Sequence, residues 1–431
     1  MRKILFVDDD QKVIQELKGM LHPMRYEWDM EFAGSGKDAL KSMEKSSFDV
    51  VVSDMDMPEI DGVKLLDIVM ERYPATVRIM HSENSDRAMT MRSVECTHQF
   101  LMKPCDVEIM KYTIERTYKL QNLLRNETLV KTVTGIKDLP CLPKLYGLIL
   151  KEMQSPEASL KKVGEIISQD VSMSTKILKL VNSAFFGLPQ RITDPQQATV
   201  YLGIETLKAL VLSIHVFSSF TKKAEFLEFS LEEMWRHNLM VGRLARDIAR
   251  AELAERNVAE EALIAGILHD IGKLILLKVP DQYKEVMNFI EKTGSDFVEA
   301  EYVVMKTSHA ELGAYLLGLW GIPDSIVEIV AFHHEPSKLI ENVFTTLSNH
   351  SDKTVDKTKP TGGILKSRST KKFLKGLTAL TAVHVANALV MQKDCTPDTT
   401  TFPYVDMLYL RTLNLADKLP EWVECYSNLM Q

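Results

Sequence analysis

Val50-Val51-Val52-Ser53-Asp54-Met55-Asp56-Met57-Pro58 decides the fold of the first third of this 431-residue chain. A run of β-branched residues that stops at two carboxylates one residue apart, and then at a proline, reads as a buried strand whose carboxyl end carries charge. Three more apolar runs have the same form. Ile4–Val7 stops at Asp8 and Asp9, Val77–His81 stops at Ser82, and Phe100–Met102 stops at Lys103 and Pro104. Amphipathic segments of helical period separate them. Strands alternating with helices predict an α/β doubly wound, five-stranded parallel sheet with helices on both faces. Ligands of such sheets collect at the carboxyl ends of the strands. Asp8, Asp9, Asp54, Ser82 and Lys103 are therefore expected in one pocket. Carboxylates gathered there repel one another unless a hard divalent cation lies among them, and all-oxygen ligation with retained water suits Mg2+. Such an ion, with a lysine and a hydroxyl, would neutralise the charge on a phosphoryl group passing to Asp54.

The rest of the chain sets the bounds. A length of 431 residues exceeds what one hydrophobic core serves, so two or three domains are expected. The formal charge of −7 argues against non-specific binding to nucleic acid or to an anionic membrane. No helix-turn-helix with a basic recognition helix follows the first domain, which leaves a DNA-binding regulator without support. The five cysteines form no CxxC pair, so neither a disulfide framework nor a thiolate zinc site is indicated, and a reducing cytoplasm is the expected compartment. The start lacks the apolar core of a signal peptide. The most apolar stretch, Ala262–Leu277, is interrupted by His269, Asp270 and Lys273 and does not read as a membrane span.

Composition divides the chain further. The first domain is expected over residues 1–122, and a helix capped by Asp106 would connect it onward over 106–135 before Gly135 and Pro140 intervene. Helical periodicity then dominates, predicting a mostly α-helical domain over 136–347. Residues 348–372 turn to Ser, Thr, Lys, Gly and Pro and read as a flexible insertion, after which 373–431 form a helical extension.

Val7-Asp8-Asp9, Ser53 through Gly62 and Lys103-Pro104 together resemble the receiver domain of two-component response regulators. The resemblance implies phosphorylation of Asp54 by a cognate sensor histidine kinase, with Mg2+ held by Asp8, Asp9, Asp54 and the backbone carbonyl of Asp56. It places Ser82 as the switch hydroxyl, Phe100 as the aromatic that turns inward on activation, and Lys103 as the phosphate-binding lysine before a cis proline.

In the second half, Leu139-Pro140-Cys141-Leu142-Pro143, Ile166 through Asp170, Leu178 through Gly187 and Tyr201-Leu202-Gly203 suggest packing by themselves. As a set they resemble the HDOD domain, a helical output module related to the HD-type metal phosphohydrolases, from about Leu139 to about Leu347. Downstream, Trp235-Arg236-His237, His269-Asp270-Ile271-Gly272-Lys273, His309 and His333-His334-Glu335 place histidines in succession. His269 and Lys273 are expected one helical turn apart on the same face, with Asp270 adjacent. Imidazoles with a carboxylate suit Fe, Mn, Zn or Ni better than Mg or Ca.

The resemblance implies that His237, His269, Asp270, His309, His333 and His334 are metal ligands, with Lys273 available to a phosphate. Two departures count against catalysis. Asn387 stands where the enzymes have their last aspartate, and no Gly-Tyr-Pro follows Glu335-Pro336, so the signature of the cyclic-di-GMP phosphodiesterases is missing. The HDOD family is moreover non-catalytic in general. The reading is a response regulator whose phosphorylation controls a non-catalytic protein-interaction module acting on a downstream signalling protein. The alternative is a metal-dependent phosphohydrolase. A homodimer is left open by the sequence.

Overall fold

The computed structural model describes residues 1–82, 96–121, 148–149, 152–153, 159–181, 192–224, 230–339, 377–392, 399 and 401–430. The chain divides into two compact units, Met1–Glu157 with Tyr315–Ile322, and Ala158–Ala314 with Pro323–Gln431.

In the first unit, β1 (Arg2–Val7), β2 (Trp28–Ala33), β3 (Val50–Ser53), β4 (Val77–Ser82) and β5 (Gln99–Met102) form a parallel sheet in the order β2-β1-β3-β4-β5. Parallel neighbours cannot be joined by a hairpin, so the chain crosses over through α1 (Gln11–Leu21), α2 (Gly36–Lys45) and α3 (Gly62–Arg72). The helix α4 (Val107–Gln121) follows β5. Asp10, Ser35 and Asp61 each accept a backbone N–H at the start of the following helix, which fixes where α1, α2 and α3 begin. One face of the sheet, with Leu5, Val7, Val51 and Met80, packs on Ala39 and Met43 of α2 and on Val63, Leu66 and Val69 of α3.

The chain turns to opposite sides of the sheet at β1, which has β2 on one side and β3 on the other. That is the switch point where a crevice opens. Val7 is paired with Ser53, and the Asp54 N–H donates to the Val7 carbonyl at 2.8 Å, so the carboxylates that follow the two strands emerge side by side. Ser82 is the last residue of β4 and not the first beyond it, because its carbonyl still accepts the Lys103 N–H at 2.9 Å.

The second unit is helical: α5 (Leu160–Ser168), α6 (Val171–Val181), α7 (Pro195–Leu202), α8 (Ile204–Ala224), α9 (Leu231–Ala251), α10 (Arg256–Leu268), α11 (Lys273–Leu276), α12 (Pro280–Thr293), α13 (Phe297–Met305), α14 (His309–Leu319), α15 (Asp324–Phe332), α16 (Ala379–Gln392), α17 (Met407–Thr412) and α18 (Leu419–Met430). The helix α16 is buried on every side from Ala379 to Val390 and packs on α9, α10 and α15. Such a helix is apolar all round because it has no solvent face. The helices α9 and α10 cross where Gly242 meets Gly266: a Cβ on Gly266 would lie 2.5 Å from the Gly242 Cα. Only glycines permit that approach, and it sets His237 and His269 at neighbouring ends of the crossing.

The insertion at 348–372, the part of the connecting helix beyond Gln121, and the Leu139–Pro143 and Asn182–Gly187 motifs lie outside the described residues.

Candidate functional sites

At the carboxyl edge of the sheet, Lys103 Nζ donates to Asp8 Oδ2 at 2.6 Å and to Asp54 Oδ1 at 2.5 Å. The second oxygens are also occupied: Asp8 Oδ1 accepts the Asp10 N–H at 3.0 Å and Asp54 Oδ2 accepts the Asp56 N–H at 2.9 Å. Asp8, Asp54 and Ser82 are buried, whereas Asp9 and Asp56 are exposed at the mouth. Burial raises the Asp8 carboxyl above its ordinary value against the pull of Lys103. For Lys103 burial acts downward, but the hydrogen bonds to Asp54 and Asp8 outweigh it and leave the ammonium more firmly protonated than usual. One ammonium facing two buried carboxylates, with Asp9 and Asp56 next to them in the chain, leaves a surplus of negative charge that suits a divalent cation. Gly62 closes its floor, since a Cβ there would stand 2.0 Å from the Asp54 carbonyl oxygen. Phe100 is half-buried against the core, and the Lys103-Pro104 bond is cis.

The second cluster lies in the helical unit. His237 projects from α9, His269 ends α10, His309 opens α14, and His333 ends α15 with His334 beside it. Hydrogen bonds behind the rings fix how they face. His269 Nδ1 lies 2.7 Å from the Gly266 carbonyl and His333 Nδ1 lies 2.7 Å from the Val330 carbonyl. A carbonyl can only accept, so both rings carry their proton on Nδ1 and turn an Nε2 lone pair inward. The His309 Nδ1 is backed by Glu301 Oε2 at 2.7 Å, and Glu301 is fully buried. Backing of this kind orients imidazoles that ligate metal.

The inward atoms converge. His237 Nε2 is 3.3 Å from His269 Nε2, and His309 Nε2 is 3.0 Å from His334 Nε2. Nitrogens sharing an ion at ~2.0–2.1 Å stand ~2.9–3.4 Å apart, so these spacings are those of ligand pairs. The His333 Nε2 is buried and has no hydrogen-bonding partner. Asp270 lies between the two sets. Its Oδ1 is 3.1 Å from His309 Nε2 and 3.9 Å from His333 Nε2, while its Oδ2 is 3.5 Å from His269 Nε2 and 3.7 Å from His237 Nε2. Two ligand groups thus share one carboxylate: Asp270, His309, His333 and His334, and His237, His269 and Asp270. The donors fit a borderline transition ion, and the single shared carboxylate suits a bridge between two.

Burial holds His269 down at about 4 and keeps His237, His333 and His334 below the ordinary imidazole value. These rings are neutral at pH 7, as ligation requires. His309 differs. Burial acts downward there too, but Glu301 and Asp270 outweigh it and raise its pKa. Burial also opposes ionisation of Asp270, yet His269, Lys273 and His309 together hold its carboxyl well below the usual range.

Asn387, on α16, brings its Oδ1 to 3.0 Å from His237 Nε2 and so occupies the flank of the second group with a neutral acceptor. The expected continuous turn from His269 to Lys273 is absent. The helix α10 ends at Leu268 and α11 begins at Lys273, because Gly272 is pressed against α14: a Cβ there would lie 1.8 Å from the His309 carbonyl oxygen. The intervening turn lets Lys273 Nζ reach back to Asp270 Oδ2 at 2.6 Å. Beside the cluster a cavity of about 520 Å3 is lined by Lys273, Phe297, Tyr302, His334, Met391 and Tyr404 among others.

Glu301 and His384 belong to this site and were not legible in the sequence. Glu301 lies in the apolar helix α13, eight residues before His309, with no periodic relation to it. His384 could have been suspected from its place one helical turn before Asn387.

Residues 4–115 match the family model described as response regulator receiver domain, and residues 139–336 match that described as HDOD domain. The chain is similar to a Treponema pallidum (strain Nichols) protein described only as an uncharacterized protein, at 26% identity over 200 residues, 46% of this chain and 38% of that one. It is also similar to the two-component response regulator ARR10 of Arabidopsis thaliana, at 32% identity over 138 residues, 31% of this chain and 24% of the other. The chain thus spans well under half the length of these relatives. Among solved structures it is similar to an HDOD domain protein of Geobacter sulfurreducens, with 17% identity, a TM-score of 0.48, and coverage of 75% of this chain and 96% of that one. It is similar as well to the signal receiver domain of an HD domain-containing protein of Pseudomonas fluorescens Pf-5, with 25% identity, a TM-score of 0.27, and coverage of 28% and 97%.

Proposed function

We propose that this chain, which matches the receiver domain model and the HDOD domain model, is a response regulator in which phosphorylation of Asp54 controls the HDOD output, a non-catalytic module that binds a downstream signalling protein. The observation that carries the reading is the single ammonium of Lys103 shared by Asp8 and Asp54. A phosphoryl group on Asp54 would take Lys103 as its counter-charge, and the lysine would leave Asp8 free for the cation. Asp8, Asp9, Asp54 and the Asp56 carbonyl would hold Mg2+, which would screen the incoming phosphoryl oxygens. Ser82 and Phe100 would carry the change of state, and the helix over 106–135 would pass it onward. A receiver domain implies a histidine kinase as partner. Among the described residues no helix is long and apolar enough to cross a membrane. Labelling of wild type, but not of Asp54→Asn, by a small phosphodonor with Mg2+ tests the reading.

A second reading is favoured by one feature, the two histidine sets that flank Asp270. His237, His269, Asp270, His309, His333 and His334 would hold one or two ions of Fe, Mn, Zn or Ni, which when bound would supply Lewis acidity. Lys273 would then lie at the edge of the cavity, ready for an oxyanion. A metal phosphohydrolase would need more than this. Asn387, in place of a carboxylate, is itself no base, and the ions would be less firmly held. The module would therefore keep a metal centre of structural or ligand-binding use without rapid turnover.

A further inference from the structure

The C-terminal segment 401–412 is tied to the metal-ligand cluster through two side chains. The His384 ring on α16 stands between the two. Its Nε2 accepts the backbone N–H of Asp406 at 2.8 Å, and a backbone N–H can only donate. The ring proton therefore lies on Nδ1, which donates to the His333 carbonyl at 2.7 Å. Asp406 returns to the same turn from the other side: its Oδ2 accepts the Ser337 N–H at 3.1 Å, while its Oδ1 accepts the Tyr409 N–H at 3.0 Å and starts α17. The turn from His333 to Ser337 is thus held at both ends by one aspartate, directly at Ser337 and through one histidine at His333. Above this junction Pro403 and Tyr404 form part of the wall of the cavity.

We infer that His384 and Asp406 are positioning residues for the His333-His334 pair, and that the C-terminal segment is a working part of the ion site rather than an appendage. His333 follows the last turn of α15, and His334 lies beyond the helix, where the helix no longer fixes the backbone. The turn keeps one backbone bond to the helix, from the Glu335 N–H to the Phe332 carbonyl at 3.1 Å, and His384 and Asp406 add the bonds from outside it. The His384 ring donates at one nitrogen and accepts at the other. Glutamine is the one replacement with both functions on a side chain of similar reach: its amide N–H can serve the His333 carbonyl and its oxygen the Asp406 N–H. Leucine has neither.

The inference rests on the reading of the histidine cluster as a metal site, and the experiment separates the two. Full-length wild type, His384→Leu, His384→Gln and Asp406→Ala are stripped of metal and followed by hydrogen exchange, then titrated with Zn2+ and with Co2+. In the stripped protein, exchange is expected to rise at the Ser337 amide in His384→Leu and Asp406→Ala while the core of α9 and α10 keeps its protection. On titration, both variants should bind the ions ~10–100-fold more weakly, the range found when groups behind a ligand are removed. His384→Gln should recover both readouts. Wild-type affinity in both variants, or protection lost equally throughout the helical unit, overturns the inference. Wild type that binds neither ion retires the metal reading alone. The exchange measurement then decides: a local rise at Ser337 that glutamine reverses supports the positioning role, and unchanged exchange ends it.

Discussion

Lys103 Nζ and Asp54 Oδ1 lie 2.5 Å apart, with side chains only 12% and 10% exposed, so the lysine neutralises the proposed phosphoacceptor before any phosphate arrives. Asp54→Asn should abolish incorporation of phosphate from a small phosphodonor with Mg2+. Lys103→Ala should leave Asp8 and Asp54 as two buried carboxylates without a counter-ion, a loss of about 3–5 kcal/mol. Denaturant unfolding with and without Mg2+ checks this. The loss should shrink when Mg2+ is added, and a variant as stable as wild type in metal-free buffer would remove the pair from the account.

Among the described residues, Asp270 is the only carboxylate common to both candidate ligand groups. Asp270→Asn should therefore empty both, whereas His237→Ala should spare the group containing His309, His333 and His334. Elemental analysis of each variant reads the difference directly. Equal ion content in the two variants would mean that the groups do not act separately.

Asn387 supplies no negative charge beside His237. Asn387→Asp should raise ion content without conferring hydrolysis of cyclic dinucleotides or simple phosphoesters. If metal-replete wild type already turns these over, and His269→Ala and Asp270→Ala both stop it, the phosphohydrolase reading replaces the scaffold.

Gly272 has no room for a side chain, with the His309 carbonyl 1.8 Å and the Gly313 amide nitrogen 2.6 Å from the position of a Cβ. Backbone cannot swing aside as a flexible side chain can. Gly272→Ala should cost at least about 3 kcal/mol, the upper range for overpacking, and weaken ion binding because it pushes His309 away from Asp270. A thermal melt paired with a Zn2+ titration tests both effects.

Acid should destabilise the metal-free helical unit over a defined window. Burial lowers His269 from 6.5 to about 4. Above pH 6.5 the ring is neutral in the folded and unfolded chains, and no stability is lost. As the pH falls towards 4 only the unfolded chain takes up the proton, so His269 alone costs about 3 kcal/mol by the foot of the window. His333 and His334 act in the same sense, and the raised His309 acts in the opposite one. Urea midpoints measured from pH 7 to pH 4 should fall. A flat profile would mean that these rings are not buried neutral.

Four strands of the sheet were legible because each is a short apolar run that ends at a carboxylate, a hydroxyl or a lysine, and a parallel sheet places those ends together, whereas β2, with Asp29 and Glu31 in it, shows no such run. For that reason the four runs together led to the pocket, and Asp8, Asp54 and Lys103 are in contact there. The helical unit was legible in class but not in geometry. Periodicity indicates which face of a helix is buried; it does not indicate which helices cross, and the approach of Gly242 to Gly266 is a tertiary fact.

Residue types and their order along the chain thus determined the fold classes, the strand-end pocket of Asp8, Asp54 and Lys103, and the list of histidines. Only the tertiary structure decided that Asp270 divides its two oxygens between two sets of rings, that Glu301 backs His309, and that Asp406 and His384 hold the turn carrying His333. Glu301 lies 8 residues from His309 and His384 lies 51 from His333, without periodic relation. The distances between them are set by packing, which no local pattern encodes.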